Sequence, residues 1–342
     1  MTMKSVVWIG RFVRGGFAPG AKRNVQALLP YVDDMIVAPL YVLPEDHELK
    51  PYVRYFDEDE EDVFKVVNHM PITDPTADGY YSVWEFNEIP QKWVKIFNRA
   101  KVVMTESQFC ADVFARQIND PEKIRVIPYI LDPKFLNIKP EGPQYRPVEE
   151  HIFLFGSVFE WVPRKVPERT IIAFLQEFDK NEPVKIALRT KLPRSPSKKE
   201  DMKRSLGKYY EKFKQAREEK RIMVVEERIP HIIDFYRGIN AYISATAGEG
   251  YGQTLAEAMA CGVPTIGSNH SGNLDFMNER NSYLVDVHDW SPVQEEQYKE
   301  FKWKLPKIDS IKENMREIYE KYKGKQNDTE VWWAKDVREK LT

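Results

Sequence analysis

Cysteine is nearly absent from this chain: Cys110 and Cys261 are the two in 342 residues. Both fall in helix-patterned stretches, which predicts reduced core thiols rather than a disulfide framework. Long apolar runs are missing too. No stretch approaches the ~20 residues a spanning helix needs. The apolar run that opens the chain, in Ser-Val-Val-Trp-Ile-Gly10, is short for a signal peptide and leads into a glycine loop instead of a small-residue cleavage site. These features predict a cytoplasmic protein, peripheral at a membrane surface at most. Neither charge dominates. Lys and Arg number 51 against 53 Asp and Glu, a formal net charge of −2, so no global field draws the chain to nucleic acid. Nor does one half of the sequence repeat the other.

What is present is ordinary globular material, 42% hydrophobic and 30% charged, at a length that predicts two domains. Short strand-like runs at 5–9, 34–38, 64–68, 80–84, 102–105 and 125–128 alternate with helical patterns at 21–29, 91–100 and 107–117, the last with Ser107 as N-cap. The Pro- and Gly-containing stretch from Ile138 to Val148 breaks this alternation and reads as a linker. It then restarts, with strands at 152–155, 184–188, 221–225, 241–244, 263–266 and 283–285 and helices at 167–178 and 254–260. Ser310-Ile-Lys-Glu313 reads as a capping box opening a helix to about Tyr322, and a last helix follows Asn327-Asp328. Alternating strands and helices predict parallel sheets covered on both faces, an α/β protein. The expected units are 1–148, 149–326 and a C-terminal helix, 327–342, packing back on the first.

Two charge runs stand out. Asp57 to Asp62 is six consecutive acids. Asp57-Glu58-Asp59 within it has the Asp-x-Asp form that can hold a divalent metal, although a run of six contains that form by default; a solvated loop is expected. The segment from Lys191 to Lys220 is rich in Lys and Arg, with Tyr209, Tyr210 and Phe213 interleaved. It reads as a solvated helix face, or as a surface for phosphate-bearing acceptors or anionic lipid.

The most informative segment is Ala245-Thr-Ala-Gly-Glu249-Gly-Tyr-Gly-Gln-Thr-Leu-Ala-Glu257-Ala-Met-Ala-Cys-Gly-Val-Pro264. It reads as a strand end, a glycine-rich turn and a helix start. Gly250 and Gly252 permit a tight turn and close approach of a ligand to backbone. The N–H groups of Gln253 and Thr254 open the helix at its positive end, a ready anion site. Glu257 shares a helix face with both, and Glu249 precedes the turn, where open α/β sheets bind ligands. Backbone donors for phosphate and two carboxylates for hydroxyls suit a sugar nucleotide, a diphosphate flanked by two polyols.

This segment resembles the E-x7-E pattern of the family-4 retaining glycosyltransferases, also called glycosyl transferases group 1. The continuation through Gly272 to Asp275 resembles the family's following strand, Gly and acid, with Asp275 where Glu is usual. The resemblance implies the GT-B fold, two Rossmann-like domains facing across a cleft. It implies that Glu257 holds the ribose hydroxyls, that Glu249 contacts the donor sugar, and that the amides of Gln253 and Thr254 receive the diphosphate; Tyr251 would tune the donor pocket, although packing explains it equally. Phe155-Gly-Ser-Val-Phe-Glu-Trp-Val-Pro-Arg164-Lys165 resembles the family's strand, Gly and basic loop. Ser157 stands where Arg is usual, so Arg164 and Lys165 would share the neutralisation of the departing diphosphate. Gly15-Gly16 would approach the donor or the acceptor, although a structural turn explains them equally; their pattern is not the G-x-G-x-x-G of a dinucleotide fold. His69 would bind acceptor or donor sugar, or serve structure alone. Tyr81-Ser-Val-Trp84-Glu85 resembles a Trp-Glu motif of one branch, and Asp132 would organise a loop.

The implied activity is a retaining, metal-independent transfer of a sugar from a nucleoside diphosphate, UDP- or GDP-linked, to a hydroxyl of a glycan, lipid-linked or small acceptor. No cofactor and no metal site is expected. The rivals are a nucleotide-sugar epimerase or hydrolase, a non-catalytic sugar-nucleotide-binding subunit, and a metal-dependent transferase using Asp57-Glu58-Asp59.

Overall fold

The computed structural model describes residues 3–13, 17–54, 63–135, 138, 145–226, 229, 231–325 and 331–340. Two compact units divide the chain at Asp132/Pro133.

The first unit comprises β1 (Met3–Gly10), α1 (Phe17–Leu28), β2 (Val32–Pro39), β3 (Val63–Asn68), β4 (Gly79–Tyr81), α2 (Gln91–Arg99), β5 (Val102–Thr105), α3 (Gln108–Ala115) and β6 (Ile124–Val126). Its six strands lie in the order β2-β1-β3-β4-β5-β6, all in parallel register. Val6, Val7, Trp8 and Ile9 are all buried; a strand with no solvent face is what a parallel sheet covered by helices produces. Ser107 caps α3 by accepting from the Cys110 N–H.

The second unit comprises β7 (Phe153–Val158), α4 (Pro167–Glu177), β8 (Val184–Arg189), α5 (Pro196–Leu206), α6 (Tyr210–Glu218), β9 (Ile222–Val224), α7 (Ile232–Gly238), β10 (Ala241–Ser244), α8 (Gln253–Ala260), β11 (Thr265–Ser268), β12 (Tyr283–Val285), β13 (Val287–Pro292), β14 (Lys302–Pro306), α9 (Ile308–Tyr322) and α10 (Trp332–Lys340). Its main sheet is parallel in the order β12-β11-β10-β7-β8-β9. The core gathers Phe155, Phe174, Ile186 and Ile243 with Ile311 and Met315 of α9. The antiparallel pair β13–β14 and α7 lie outside the elements expected from the sequence.

One local expectation fails. Helix α9 starts at Ile308, with Lys307 at the N-cap and no side-chain cap. Ser310 therefore sits inside the first turn, and its hydroxyl accepts from the distant Asp286 N–H at 2.9 Å. The S-x-x-E pattern is a local signal, and here a long-range partner takes the hydroxyl. The linker stretch also belongs in part to the second unit: Tyr145 N–H donates to the Asp234 carbonyl at 2.8 Å, and Arg146 donates to the carbonyls of Gly238 and Ile152.

Candidate active site

In the second sheet the chain runs outward from β7 through β8 to β9, then returns to place β10 on the other side of β7. The loops after β7 and β10 leave the carboxyl ends of the strands at this switch in strand order, the position at which open α/β sheets bind ligands. The loop after β7 carries Arg164 and Lys165; the loop after β10 carries Glu249.

They converge. Glu249 is 6% exposed, and its carboxylate accepts from the Lys165 ammonium at 2.7 and 2.9 Å and from Arg164 at 3.1 Å. Arg164 also donates to the Gly248 carbonyl at 2.6 Å, while the Ala247 N–H donates to the Arg164 carbonyl at 2.9 Å. The cationic loop is thus bound to the glutamate turn through backbone as well as charge. Burial pushes the Glu249 carboxyl up, but Lys165 and Arg164 outweigh it and hold the group down to about 2. It is an anion at any physiological pH.

The turn is supported from β11. Ser271 Oγ accepts from the Glu249 N–H at 2.8 Å, the Gly272 N–H donates to the Glu249 carbonyl at 3.0 Å, and Asn273 Nδ2 donates to the Ser268 carbonyl at 2.8 Å. Left-handed backbone clusters around these loops: Val166 at φ 35°, Ser271 at φ 75° and Gly252 at φ 96°. For Val166, a β-branched residue, this conformation is an outlier. Strain held in place by packing is a common property of functional loops.

Gly252 is the N-cap residue of α8. A Cβ there would lie 3.1 Å from both the Asn273 Cβ and the Leu255 Cδ1. The first carbonyl-bonded donors are Leu255 and Ala256, both to Gly252, so the Gln253 and Thr254 amides stand ahead of the ladder at the positive end of the helix. Along α8, Gln253, Thr254 and Glu257 are half-buried while the other five residues are buried. One polar stripe is therefore turned outward from an apolar helix. Glu257 Oε2 accepts from the hydroxyl of Tyr236 on α7 at 2.9 Å. The Tyr242 phenol on β10 is raised by burial first, with smaller contributions from the charges of Glu249 and Glu257. Tyr251 is 3% exposed and packs on Phe276 with ring centroids 5.1 Å apart.

Other sequence candidates lie elsewhere. Ser157, where a cation is usual, is buried in β7 with its hydroxyl donating to the Ile243 carbonyl at 2.7 Å, so its side chain serves the sheet. Asp275 is exposed at the end of a 3-10 turn. His69 belongs to the first unit, at that sheet's own switch between β1 and β3, just past the Gly10–Asn68 pair. Its ring meets the Thr73 hydroxyl at 3.2 Å, and burial, then Arg11, lower its pKa. Asp132 accepts from Arg23 at 3.2 Å. Gly15-Gly16 and Asp57-Glu58-Asp59 lie outside the described residues. Sequence reasoning passed over Tyr236, Tyr242, Ser271 and Asn273. Ser271 and Asn273 lie in the Gly272 continuation and could have been found there; Tyr236 carries no local signal, because its partner is 21 residues away.

Two parallel six-stranded α/β units, the second with its glycine–glutamate turn at the switch point, define the GT-B class of glycosyltransferases. Residues 172–296 match the family model described as "Glycosyl transferases group 1", a segment that includes Glu249 and Glu257. The match covers just over a third of the chain, the part of the second unit that carries both glutamates, and the fold around it is the GT-B fold. Solved structures agree in fold. WaaG, a glycosyltransferase involved in lipopolysaccharide biosynthesis, superposes with a TM-score of 0.64 at 13% identity, over 98% of this chain and 95% of WaaG. The OtsA apo structure gives 0.67 at 9%, over 99% and 95%. Alr3699/HepE of Anabaena, in complex with UDP and glucose, gives 0.58 at 14%, over 99% of each chain. No curated protein matches.

Proposed function

We propose that the chain transfers a glycosyl residue from a nucleoside diphosphate sugar, UDP-linked, to a hydroxyl acceptor with retention of configuration and without a metal. The observation that carries this is the Glu249–Lys165–Arg164 cluster at the strand switch, beside the open end of α8. Fold relatives crystallised with UDP and glucose or with UDP-2-fluoro glucose support uridine as the base.

The charges suggest the chemistry. Two fixed cations surround one buried carboxylate, a local excess of one positive charge. A bound diphosphate adds its oxygens to Arg164, Lys165 and the α8 amides. As the anomeric C–O bond to phosphate breaks, the charge growing on the leaving oxygen meets donors already in position, which need no reorganisation. The acceptor oxygen bonds to the anomeric carbon from the same face, and its proton passes to the leaving phosphate oxygen. Glu249, relieved of part of its cation grip, binds sugar hydroxyls and offsets positive charge at the ring; no covalent glycosyl-enzyme is required. Glu257 grips the ribose. Gly15-Gly16 and His69 are assigned to the donor and acceptor approach of the first unit.

The test combines binding and turnover. UDP and UDP-sugars should raise the thermal midpoint by mass action, and Glu249→Ala should reduce turnover by about 100-fold or more with a much smaller loss of UDP affinity. Unchanged turnover removes Glu249 from the mechanism. Free sugar or an epimer formed rapidly without acceptor would assign the site to a hydrolase or epimerase instead.

A further inference from the structure

Between Lys191 and Lys220 the chain has eleven Lys or Arg against five Asp or Glu, inside a protein whose formal net charge is −2. All eleven cations are exposed. Helices α5 and α6 turn Met202, Leu206, Phe213 and Ala216 into the core, so the charges are left on the outside of the hairpin.

They are also gathered. The ammonium groups of Lys203 and Lys214, one from each helix, lie 6.0 and 5.8 Å from the centre of the Tyr210 ring. Those of Lys208 and Lys212 lie 5.4 and 5.7 Å from that of Tyr209. Glu211 pairs with Lys214 at 2.9 Å. Packing like charges over two adjacent rings costs free energy that a dispersed surface avoids, and an anionic partner recovers it. Next to this cluster an open groove of about 500 Å³ runs along α6 and the edge strand β9. It is lined by Ile222, Met223 and Val224, of which Met223 and Val224 are half-buried, and by Lys214, Arg217 and Lys220 against one acid, Glu218.

From this arrangement we infer that the α5–α6 face docks the second unit on an anionic lipid bilayer. Cations beside half-buried apolar side chains, Met223 and Val224, fit an amphiphile, charged at its head and greasy below, better than a polyanion that is charged along its length. Aromatic rings with lysines stacked on them are suited to the headgroup layer. Each Lys or Arg near an anionic leaflet strengthens attachment about fivefold, and salt screens the effect. Attachment is therefore reversible and separate from catalysis, and it stands whether or not the donor is UDP-linked.

Co-sedimentation of the full chain tests it, using vesicles of phosphatidylcholine alone and vesicles with one-third phosphatidylglycerol, at low and high salt. The protein should pellet only with the anionic vesicles at low salt. Combined Lys203→Glu, Lys208→Glu, Lys212→Glu and Lys214→Glu should weaken that binding by about 100-fold or more while leaving the UDP thermal shift unchanged. The corresponding glutamine variant should give a smaller loss and covers the case in which reversal disturbs folding. Reversal of Lys299 and Lys302, exposed on the second unit, should have little effect. The inference is overturned if wild type ignores anionic vesicles, if the Lys299/Lys302 variant loses binding equally, or if duplex DNA binds this face more tightly than the vesicles do.

Discussion

Tyr236 and Glu257 show how a single buried hydroxyl can set a carboxylate, here the one proposed to grip the ribose. Tyr236 is fully buried on α7, and its hydroxyl donates to Glu257 Oε2 at 2.9 Å, which fixes the rotamer of a side chain that is itself half-buried. Hydrogen bonds to charged groups contribute about 1.5–3 kcal/mol. Tyr236→Phe should therefore weaken UDP binding by about tenfold, with kcat for a saturating donor little changed. A nucleotide lacking the ribose hydroxyls should show no such loss, and titration calorimetry with both ligands distinguishes positioning of Glu257 from general damage. Glu249 makes a second prediction. Its folded pKa, about 2, lies below the carboxylate reference of 4.5, so the group binds fewer protons in the folded state than in the unfolded. Its contribution is complete above about pH 4.5 and is lost as pH falls towards 2. The stability difference between wild type and Glu249→Gln, from urea denaturation, should be constant at neutral pH and shrink across that acid range.

At the scale of elements, α8 is the piece on which the site depends. Its sequence from Gln253 to Ala260 consists mainly of strong helix formers, and both ends are managed. At the amino end Gly252 takes φ 96°, and the Gln253 and Thr254 amides precede the first donors of the helix ladder. At the carboxyl end Arg338 of α10 donates to the Ala260 carbonyl at 2.9 Å, a cation where the helix dipole favours one. Gly252→Ala should cost about 1–3 kcal/mol from the left-handed backbone, because Asn273 and Leu255 leave the new Cβ tight contacts on two sides. UDP affinity should fall with it, since the turn that presents the Gln253 and Thr254 amides must shift. Urea unfolding alongside UDP titration checks both. The element boundaries were largely legible in the sequence because Val, Ile and aromatic runs alternate with amphipathic patterns. The capping box at Ser310 misled, since a hydroxyl can serve any donor that folding brings near; α7 and the β13–β14 pair are short and lack the periodicity that would reveal them.

For the molecule as a whole, the proposed chemistry relies on fixed protein cations rather than on a divalent ion. Transfer should proceed at full rate in excess chelator, measured as UDP release with a saturating acceptor; dependence on added Mg²⁺ or Mn²⁺ would point instead to Asp57-Glu58-Asp59. Parallel sheets and a doubled α/β plan could be read from alternation and length, because buried strands must be apolar on both faces. The glycine–glutamate turn was legible for the same kind of reason: its geometry is encoded within a dozen neighbouring residues. What tertiary structure alone decided was convergence. That Arg164 and Lys165 close on Glu249, 84 to 85 residues away, follows from β7 and β10 being neighbours at the switch in strand order. That Tyr236 holds Glu257 follows from α7 packing beside α8. Contacts of this range depend on the path of the whole chain, and no local pattern of residues specifies them.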